Sequence, residues 1–362
     1  MKKLLTILIA LVILVVIAVA VPLIWYTNAI GPMSDEAKNI NVTIEMGSGS
    51  STIAKTLMDA GVISSDLAFK LYVKLNNISG FQAGEYVLSP NMNLETIAKS
   101  LKEGKVFEEQ VKITFVEGKN MMWIAKRIAE TTDNTEQDVY DLLKDKTYLQ
   151  SLIDKYWFLT EDILNKNIYY ALEGYLAPNT YHFSKNDLSV KTIFGTMLDQ
   201  TEKILKDYKD IITKSKYSIH EIMTMASIVE LECPPSKDNE NRKNTASVFY
   251  NRLKSGMSLG SDVTTYYAFK ISMADRDLTV AELNSSNPYN TRGPNMGGKL
   301  PVGPICSASK SSIIAAIEPN KGEDLYFVAD KNGKIYFTET YSEHVQVVNK
   351  LKKENMWYEY EK

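Results

Sequence analysis

One carboxylate, that of Glu230, occupies a position in the sequence that favours acid–base chemistry. Apolar residues at helical spacing, Ile222, Met223 and Ala226, predict a helix with an apolar face, and Glu230 falls on the same face. A carboxylate on an apolar face is costly unless it is paired or stays protonated. A carboxyl group that is protonated near neutral pH can act as a general acid. The alternative interpretation is that the helix ends early and leaves Glu230 at a solvated rim.

The predicted helix has a recognisable signal at each end. Ser218 and Glu221 are spaced as a capping box, and two prolines at 234–235 stop the helix. At about 100° per residue, Glu221 and Glu232 point to the face opposite Glu230. The helix is therefore expected to present one carboxylate to its apolar side.

Further segments carry residues that suit ligand binding. Residues 171–183 are dense in turn formers and aromatics, and Glu173 is the carboxylate within them. Tyrosines combine an apolar ring with a polar hydroxyl, so this segment could line a sugar cleft, or it could be a buried turn with its tyrosines in the core. Residues 245–253 predict another amphipathic helix. Residues 285–307 are rich in glycine, proline and asparagine, and a loop of that length is usually functional.

Charge, histidines and cysteines exclude several classes of function. The formal net charge of -3 gives no electrostatic footprint for a nucleic-acid partner. A protein of this net charge also exerts no general attraction on an anionic polymer, so such a polymer would have to be bound through specific contacts. His182, His220 and His344 lack metal-ligand spacing, and neither a metal site nor a cofactor is predicted. Cys233 and Cys306 could pair in an oxidising compartment, but they make no disulfide framework.

The N-terminal stretch predicts a membrane anchor. Residues 4–26 contain no charged side chain and are long enough to cross a bilayer as a helix. Lys2 and Lys3 precede this stretch, so the positive-inside rule leaves residues 1–3 in the cytoplasm and exports the rest of the chain. The competing interpretation is a signal peptide that is cleaved after Ala20.

The remaining pattern predicts an α+β protein with two exported parts. Residues 27–39 form a linker, residues 40–105 a small α+β module and residues 106–362 a larger α+β catalytic domain. The small module alternates short strands and helices and contains no residues suited to catalysis. In the larger domain, residues 325–329 and 334–337 flank a turn sequence and predict a hairpin.

Several short sequence blocks occur in one order along most of the exported part. They are Ala83-Gly-Glu-Tyr86, Val116-Glu-Gly118, Glu173-Gly-Tyr-Leu-x-Pro-x-Thr-Tyr181, Ala226-Ser-Ile-Val-Glu230, Ala246-Ser-Val-Phe-Tyr-Asn-Arg-Leu253, Ser261-Asp-Val-Thr264, Tyr289-Asn-Thr291, Leu300-Pro-Val-Gly-Pro-Ile305, Leu325-Tyr-Phe-Val-Ala329 and Glu343-His344. In these blocks the chain resembles the membrane-anchored endolytic murein transglycosylases of the YceG/MltG family. It departs from the family pattern at Val263 and Val302, where proline is usual, and at Arg292, where tyrosine is commoner.

The resemblance implies a fold, an activity and a cellular setting. Residues 40–105 would correspond to the family's LysM-like module, and Glu230 would be the catalytic acid/base. The expected activity is cleavage of the β-1,4 bond between MurNAc and GlcNAc in nascent glycan strands of peptidoglycan. Such cleavage leaves 1,6-anhydro-MurNAc ends and limits strand length. The enzyme would need no cofactor and would work beside peptidoglycan synthases and the elongation or division machinery.

The same blocks supply a predicted substrate-binding set around the catalytic residue. Glu173 and Asp262 are expected to orient sugar hydroxyls or the catalytic loop. Asn251, Tyr289 and Asn290 are expected to donate hydrogen bonds to N-acetyl groups or to the developing oxocarbenium ion. The set is completed by Tyr175, Arg252, Thr264 and Thr291.

Two other functions fit the same residues. A peptidoglycan hydrolase would use Asp262 or Glu173 as a second carboxylate that activates water. A non-enzymatic wall-binding protein would keep Glu230 as a structural carboxylate. Loss of cleavage with retained binding in Glu230→Gln would separate an enzyme from a binder.

Overall fold

The computed structural model describes the chain in four stretches, residues 2–35, 37–104, 110–233 and 239–357. The chain divides into two units, Met1–Glu109 and Gln110–Lys362, and each has its own buried hydrophobic cluster. In the described stretches, helices are combined with three separate two-stranded antiparallel sheets. The α+β class predicted from the sequence is confirmed.

The first unit consists of a long helix followed by a small module built on one strand pair. Its elements are α1 (Lys2–Ala29), β1 (Ile40–Ile44), α2 (Ser50–Asp59), α3 (Asp66–Leu75), β2 (Gly84–Leu88) and α4 (Leu94–Glu103). Strands β1 and β2 are antiparallel, with Ile40 opposite Leu88. The Asn93 side chain caps α4 by accepting a hydrogen bond from the amide of Thr96, and Gly104 ends that helix in the left-handed conformation. The predicted alternation of short strands and helices is confirmed.

Helix α1 covers the apolar N-terminal stretch. Within the residues that the structure describes, no helix reaches the length and apolar content required of a membrane span.

The segment predicted as a linker is partly fixed to the small module. Ala29, the last residue of α1, is buried. The amide of Leu94 donates to the carbonyl of Ile30 at 3.0 Å, and the amide of Ser34 donates to the carbonyl of Pro90 at 3.1 Å. The chain around Ile30 and Ser34 is therefore held against the module by backbone hydrogen bonds, whereas a linker was expected there.

The second unit is mainly helical, with a strand pair near its start and another near its end. Its elements are β3 (Gln110–Phe115), α5 (Met121–Thr131), α6 (Glu136–Leu142), α7 (Lys146–Lys155), β4 (Asn179–Ser184), α8 (Val190–Leu205), α9 (Lys209–Lys214), α10 (Ile219–Glu232), α11 (Asn239–Lys254), α12 (Asp262–Phe269), α13 (Val280–Leu283), α14 (Lys310–Ile317), β5 (Tyr326–Ala329), β6 (Ile335–Thr338) and α15 (Tyr341–Lys353). Strand β3 pairs with β4 across a long chain separation. Strands β5 and β6 form the predicted hairpin, with Tyr326 opposite Thr338.

Helix α10 is the central helix of this unit. It begins with the predicted capping box, in which the amide of Ser218 donates to the Glu221 carboxylate at 2.8 Å and the Ser218 hydroxyl accepts from the Glu221 amide at 3.2 Å. Residues 222–229 are all buried, because α10 packs against α11, α12 and α14. The predicted apolar stripe is thus only part of its buried surface. The proline pair at 234–235 lies outside the described residues.

The tyrosine-rich segment 171–183 forms a buried turn leading into β4. Tyr175 and Tyr181 lie in the hydrophobic cluster of the second unit. Gly174 has a φ of +80°, and a Cβ atom there would lie 2.3 Å from Cβ of Pro304. The turn therefore needs glycine for both its conformation and its close packing, and of the two interpretations the buried turn is correct.

We expect Gly174→Ala to destabilise the protein by roughly 2–4 kcal/mol, because it combines a left-handed conformation with overpacking. Gly195, inside α8, provides the matched control, since nothing lies within 4 Å of its Cβ position. Gly195→Ala should raise the free energy of unfolding by roughly 0.5–1 kcal/mol through helix propensity. Thermal unfolding of both variants beside the parent checks this pair, and an undiminished melting temperature for Gly174→Ala would contradict the buried turn.

Candidate active site

Glu230 lies in the last turn of α10, and its carboxylate is enclosed. Its side chain is 8% exposed, so the interpretation of a solvated rim is wrong. Its Oε2 atom accepts hydrogen bonds from the amide of Ser309 at 2.9 Å and from the hydroxyls of Ser309 at 2.5 Å and Ser312 at 2.7 Å. Both serines lie at the N-terminal end of α14, where amide groups favour an anion.

A buried cation, Arg242 of α11, completes the surroundings of this carboxylate. Its Nη1 atom lies 3.5 Å from Oε2 of Glu230 and donates to the hydroxyl of Ser312 at 2.8 Å. The Arg242 side chain is 6% exposed, and its Nε is buried without a hydrogen-bond partner. A carboxylate in an apolar setting must be paired with a cation or protonated. In this structure Glu230 is paired with Arg242.

The hydrogen bonds of Glu230 are one-sided. All those that the structure describes end on Oε2, and Oε1 accepts none from a described residue. Oε2 already accepts three hydrogen bonds from Ser309 and Ser312 and lies beside the Arg242 guanidinium, so a proton on this carboxyl group would be placed on Oε1. Oε1 is therefore the atom that can exchange a proton with a ligand.

A cleft of about 390 Å³ lies beside the C-terminal turn of α10. Glu230 is adjacent to this cleft and does not itself line it. Gly118 and Leu231 do line it, and a Cβ atom on Gly118 would lie 3.4 Å from Leu231 Cδ2 and 3.9 Å from Glu230 Cγ. The remaining walls include the rings of Trp123 and Tyr266. Aromatic rings and polar groups in one concave site can hold an amphipathic ligand such as a sugar chain.

A backbone clamp holds one wall of the cleft next to Glu230. The amide of Gly118 donates to the carbonyl of Ser307, and the amide of Ser307 donates to the carbonyl of Lys119, both at 2.8 Å. Gly118 adopts a φ of +72°, which a side chain would strain. These two bonds connect the loop after β3 to the segment that leads into Ser309.

Four members of the predicted substrate-binding set are buried within the loop framework. Thr264, Tyr289, Asn290 and Thr291 are fully enclosed. The amide group of Asn290 donates to the carbonyls of Glu282, Leu283 and Ser285, and the Tyr289 hydroxyl accepts from the amide of Tyr169. The hydroxyls of Thr264 and Thr291 lie 2.8 Å apart, and the latter accepts from the amide of Ser261 at 3.0 Å. These side chains stabilise the loop and present no open surface to a ligand, contrary to the expectation of direct contact.

Tyr175 is also buried, and its hydroxyl lies 2.8 Å from Nδ1 of His220. The Nε2 atom of that histidine contacts the carbonyl of Val302 at 3.0 Å. This chain of polar contacts joins the tyrosine-rich turn to the start of α10 and to the long loop. Tyr175 is therefore a positioning residue in the structure, and the expected sugar contact is not formed by its side chain.

Asn251 and Arg252 hold the segment before the hairpin. The Asn251 side chain donates to the carbonyls of Gly322 and Asp324, each at 3.0 Å. Arg252 donates to the carbonyl of Leu325 through Nε at 2.6 Å and to that of Leu259 through Nη1 at 2.7 Å. Both side chains are half-buried, and their contact with substrate stays a prediction.

Asp262 and Glu232 form a second group of carboxylates near the end of α10. Asp262 is exposed and forms an ion pair with Arg292. The carboxylate of Glu232 accepts from the hydroxyl of Ser261 at 2.5 Å. Burial raises the pKa of Glu232, and the nearby Asp262 adds to this effect while Arg292 opposes it. Glu232 was expected on the face of α10 opposite Glu230, and in the structure its side chain is half-buried and bonded to the residue that precedes α12.

Glu173 is the most enclosed of the predicted site carboxylates, with 1% of the residue exposed. Its two oxygens lie 3.0 and 2.9 Å from the amide of Met121, and one of them accepts from the hydroxyl of Tyr267 at 2.9 Å. Met121 is the first residue of α5, so Glu173 satisfies a helix N-terminus. Burial raises the pKa of Glu173 to about 7, although these hydrogen bonds act in the opposite direction.

Cys233 and Cys306 are both buried and are not joined by a disulfide. The thiol of Cys306 donates to the carbonyl of Ser227 at 3.3 Å, and burial raises its pKa.

Sequence analysis missed Arg242, Ser309 and Ser312. The only signal that it offered was an arginine shortly before the predicted helix at 245–253, which in the structure begins at Asn239.

Glu173 should make the stability of the protein depend on pH. Its pKa is about 7 in the folded chain, whereas an unfolded glutamate titrates near 4.3. Between these values the folded chain holds the proton more tightly, so the stabilisation is complete below pH 4.3 and is lost as pH rises through 7. The total loss in free energy of unfolding is on the order of 3 kcal/mol.

Glu173→Gln should abolish this loss, because a neutral amide is not ionised at any of these pH values. Glu323→Gln, at an exposed site, is the control and should keep the dependence of the parent. Melting temperatures of the three proteins between about pH 5 and pH 8 test this expectation. If the melting temperatures of the parent and of Glu173→Gln changed with pH in the same way, Glu173 would not be the titrating group.

Comparisons with known proteins identify the family that this chain is similar to. The model of the YceG-like family matches residues 42–350. An endolytic murein transglycosylase of Bacillus subtilis is 40% identical over 311 residues, which cover 86% of this chain and 84% of that protein. An endolytic murein transglycosylase of Streptococcus pneumoniae is 32% identical over 328 residues, which cover 86% of this chain and 58% of that protein.

A solved structure extends the comparison to the fold. The crystal structure of a yceG-like protein from Listeria monocytogenes has a TM-score of 0.60 to this chain at 38% sequence identity. The match covers 86% of this chain and all of that one. The resemblance inferred from the short sequence blocks is confirmed. With a family match over most of its length, this chain belongs to the YceG-like family.

Proposed function

We propose that this chain is a lytic transglycosylase that cleaves the glycan strands of peptidoglycan, with Glu230 as its single catalytic acid/base. The observation that carries the proposal is the one-sided bonding of Glu230, whose Oε1 has no donor among the described residues and whose Cγ lies close to Gly118 of the cleft wall. The endolytic murein transglycosylases of Bacillus subtilis and Streptococcus pneumoniae support the substrate class.

The proposed reaction has two steps that both pass through Oε1. In the first, the proton on Oε1 moves to the glycosidic oxygen between MurNAc and GlcNAc, the bond from C1 to that oxygen breaks, and GlcNAc leaves with a hydroxyl group. In the second, the Glu230 carboxylate takes the proton of the MurNAc C6 hydroxyl while O6 bonds to C1. The product is a 1,6-anhydro ring, Glu230 is protonated again, and no water is consumed.

The surroundings of Glu230 suit a group that alternates between acid and carboxylate. After the first proton transfer the negative charge lies beside Arg242 and the donors of Ser309 and Ser312, which already point at Oε2. Donors that are fixed in advance stabilise such a charge without reorganisation. Removing the Arg242 side chain would leave a buried charge unpaired, which typically costs 3–5 kcal/mol.

A hydrolase is the second candidate function, and its distinguishing feature is a second carboxylate that activates water. Glu173 is poorly placed for this role, because both its oxygens are bonded inside the protein. Asp262 is exposed and is the carboxylate that a hydrolase would use, although its pairing with Arg292 opposes that use.

The proposed cellular setting follows from the N-terminus. Residues 4–26 carry no charge, and described apolar side chains of α1 such as Leu14, Val19 and Leu23 are more than half exposed. We propose a single-pass anchor with a cytoplasmic N-terminus and an extracytoplasmic catalytic unit. A LysM-like role for residues 40–105 and partnership with synthases and the elongation or division machinery remain predictions of the resemblance. N-terminal sequencing of the protein from membrane fractions tests the anchor, and a soluble form that begins at Val21 would contradict it.

The product of the reaction tests the proposed function. Purified glycan strands are digested with the full-length protein in detergent, in water enriched in heavy oxygen. Attack by the C6 hydroxyl should give unlabelled anhydro-MurNAc ends that are one water lighter than reducing ends. An enzyme that cuts strand interiors should also release a spread of multi-disaccharide fragments early. Labelled reducing ends would establish the hydrolase instead.

The same digestion with Glu230→Gln should be slower by roughly two to four orders of magnitude, the usual contribution of a positioned general acid. Glu221→Gln is the matched control, because glutamine can serve the capping box at the other end of the same helix. It should keep the parent rate. Binding without cleavage by the parent protein would favour the wall-binding alternative.

A further inference from the structure

Two lysines line the cleft beside Glu230. Lys119 belongs to the loop after β3, and Lys270 follows α12 on another wall. Neither forms an ion pair with a residue that the structure describes. Asp275 is the acidic residue among those lining the cleft. The cleft thus carries a small excess of positive charge in a protein whose formal net charge is -3.

The ammonium group of Lys270 is held in place by the protein. Its Nζ atom lies 4.9 Å from the ring centroid of Tyr169 and 5.2 Å from that of Tyr170, and it donates to the hydroxyl of Tyr170 at 3.3 Å. The residue itself has a φ of +54°, a conformation that is uncommon for lysine. An ammonium has three donors, so the tyrosine contact leaves others for a ligand in the cleft.

The other cations around the site are already engaged. Arg242 pairs with the carboxylate of Glu230, Arg292 pairs with that of Asp262, and Arg252 donates to two backbone carbonyls. An anionic polymer receives no bulk attraction from a protein of this net charge, so it must be held by local cations. In the described part of the chain, Lys119 and Lys270 are the lysines that line this cleft.

From these observations we propose that the cleft recognises a carboxylate on its glycan, and that Lys270 is the residue that binds it. The inference rests on the proposed function and adds the substrate class, a muramyl glycan that carries negative charge. Two sources of carboxylate exist in such a strand. One is the lactyl group of MurNAc when it bears no peptide, and the other is the stem peptide that is joined to the lactyl group by an amide bond.

Affinity is measured on full-length Glu230→Gln protein in detergent, so that the result does not depend on cleavage. The probes are soluble glycan oligomers without stem peptides, the same oligomers with stem peptides, and both sets after conversion of their carboxylates to methylamides. Carboxylate-bearing oligomers should bind about 1.5- to fivefold more tightly than their methylamides, the range for an exposed ion pair. The difference should shrink as salt is raised.

Lys270→Met in the same protein should bind a carboxylate oligomer no better than its methylamide, whereas Lys270→Arg should keep most of the preference. Lys299→Met is the control, because Lys299 is an exposed lysine that lines a different cavity. It should behave as the parent. The oligomer set that shows the preference identifies the source of the carboxylate, lactyl group or stem peptide.

Equal affinity of the parent for carboxylate and methylamide oligomers would overturn the inference. An equal loss of affinity by Lys270→Met for every oligomer would overturn it as well, because that result describes a structural lysine. Failure of the proposed reaction would be seen separately, as labelled ends or absent cleavage in the product experiment. A preference for carboxylate oligomers in the binding measurements would support the role of Lys270 whether or not the proposed reaction is correct.

Discussion

The candidate site depends on one electrostatic constraint, which is the cost of burying a carboxylate at the C-terminal end of a helix. Glu230 lies in the last turn of α10, where the helix dipole disfavours negative charge. The compensation comes from two neighbouring helices. Helix α14 points its N-terminus at Oε2 through Ser309 and Ser312, and α11 supplies the buried Arg242. The close packing of α10, α11 and α14 is what brings these groups together. The same arrangement occupies Oε2 and leaves Oε1 without a donor among the described residues, which is the basis of the proposed role of Oε1.

Three carboxylates near the end of α10 have different tasks because their surroundings differ. Glu230 contacts a cation and fixed donors through one oxygen, and the proposed proton exchange is assigned to the other. Glu173 accepts hydrogen bonds from the first amide of α5 and from the hydroxyl of Tyr267, and it thereby holds two elements of the cleft wall together. Glu232 accepts from Ser261, the residue before α12, and ties that helix to the end of α10. Similar side chains thus serve chemistry or architecture according to burial and partners.

The parts of this account that the sequence predicted are those governed by local rules. The capping box at Ser218, the hairpin near Tyr326 and the placement of Glu230 on a buried helix face depend on spacing within one or two turns. The missed parts depend on pairing across long chain separations. Ser309 and Ser312 lie about eighty residues after Glu230, and no local pattern marks a serine as a carboxylate donor. Likewise, the composition of the segments around Tyr175 and Asn290 identifies tight, polar turns, but it does not distinguish side chains that face a ligand from those that hold the turn. Their burial follows from tertiary packing.

The most direct test of the central claim is a crystal structure of full-length Glu230→Gln protein with a bound muramyl glycan. The account predicts that one glycosidic oxygen lies within about 2.6–3.2 Å of the side-chain atom that replaces Oε1. The C6 hydroxyl of the adjoining MurNAc should face the same atom, while Ser309 and Ser312 still contact the other side of the group. A glycan whose cleavable bond lies between Asp262 and a bound water, out of reach of position 230, would contradict the account.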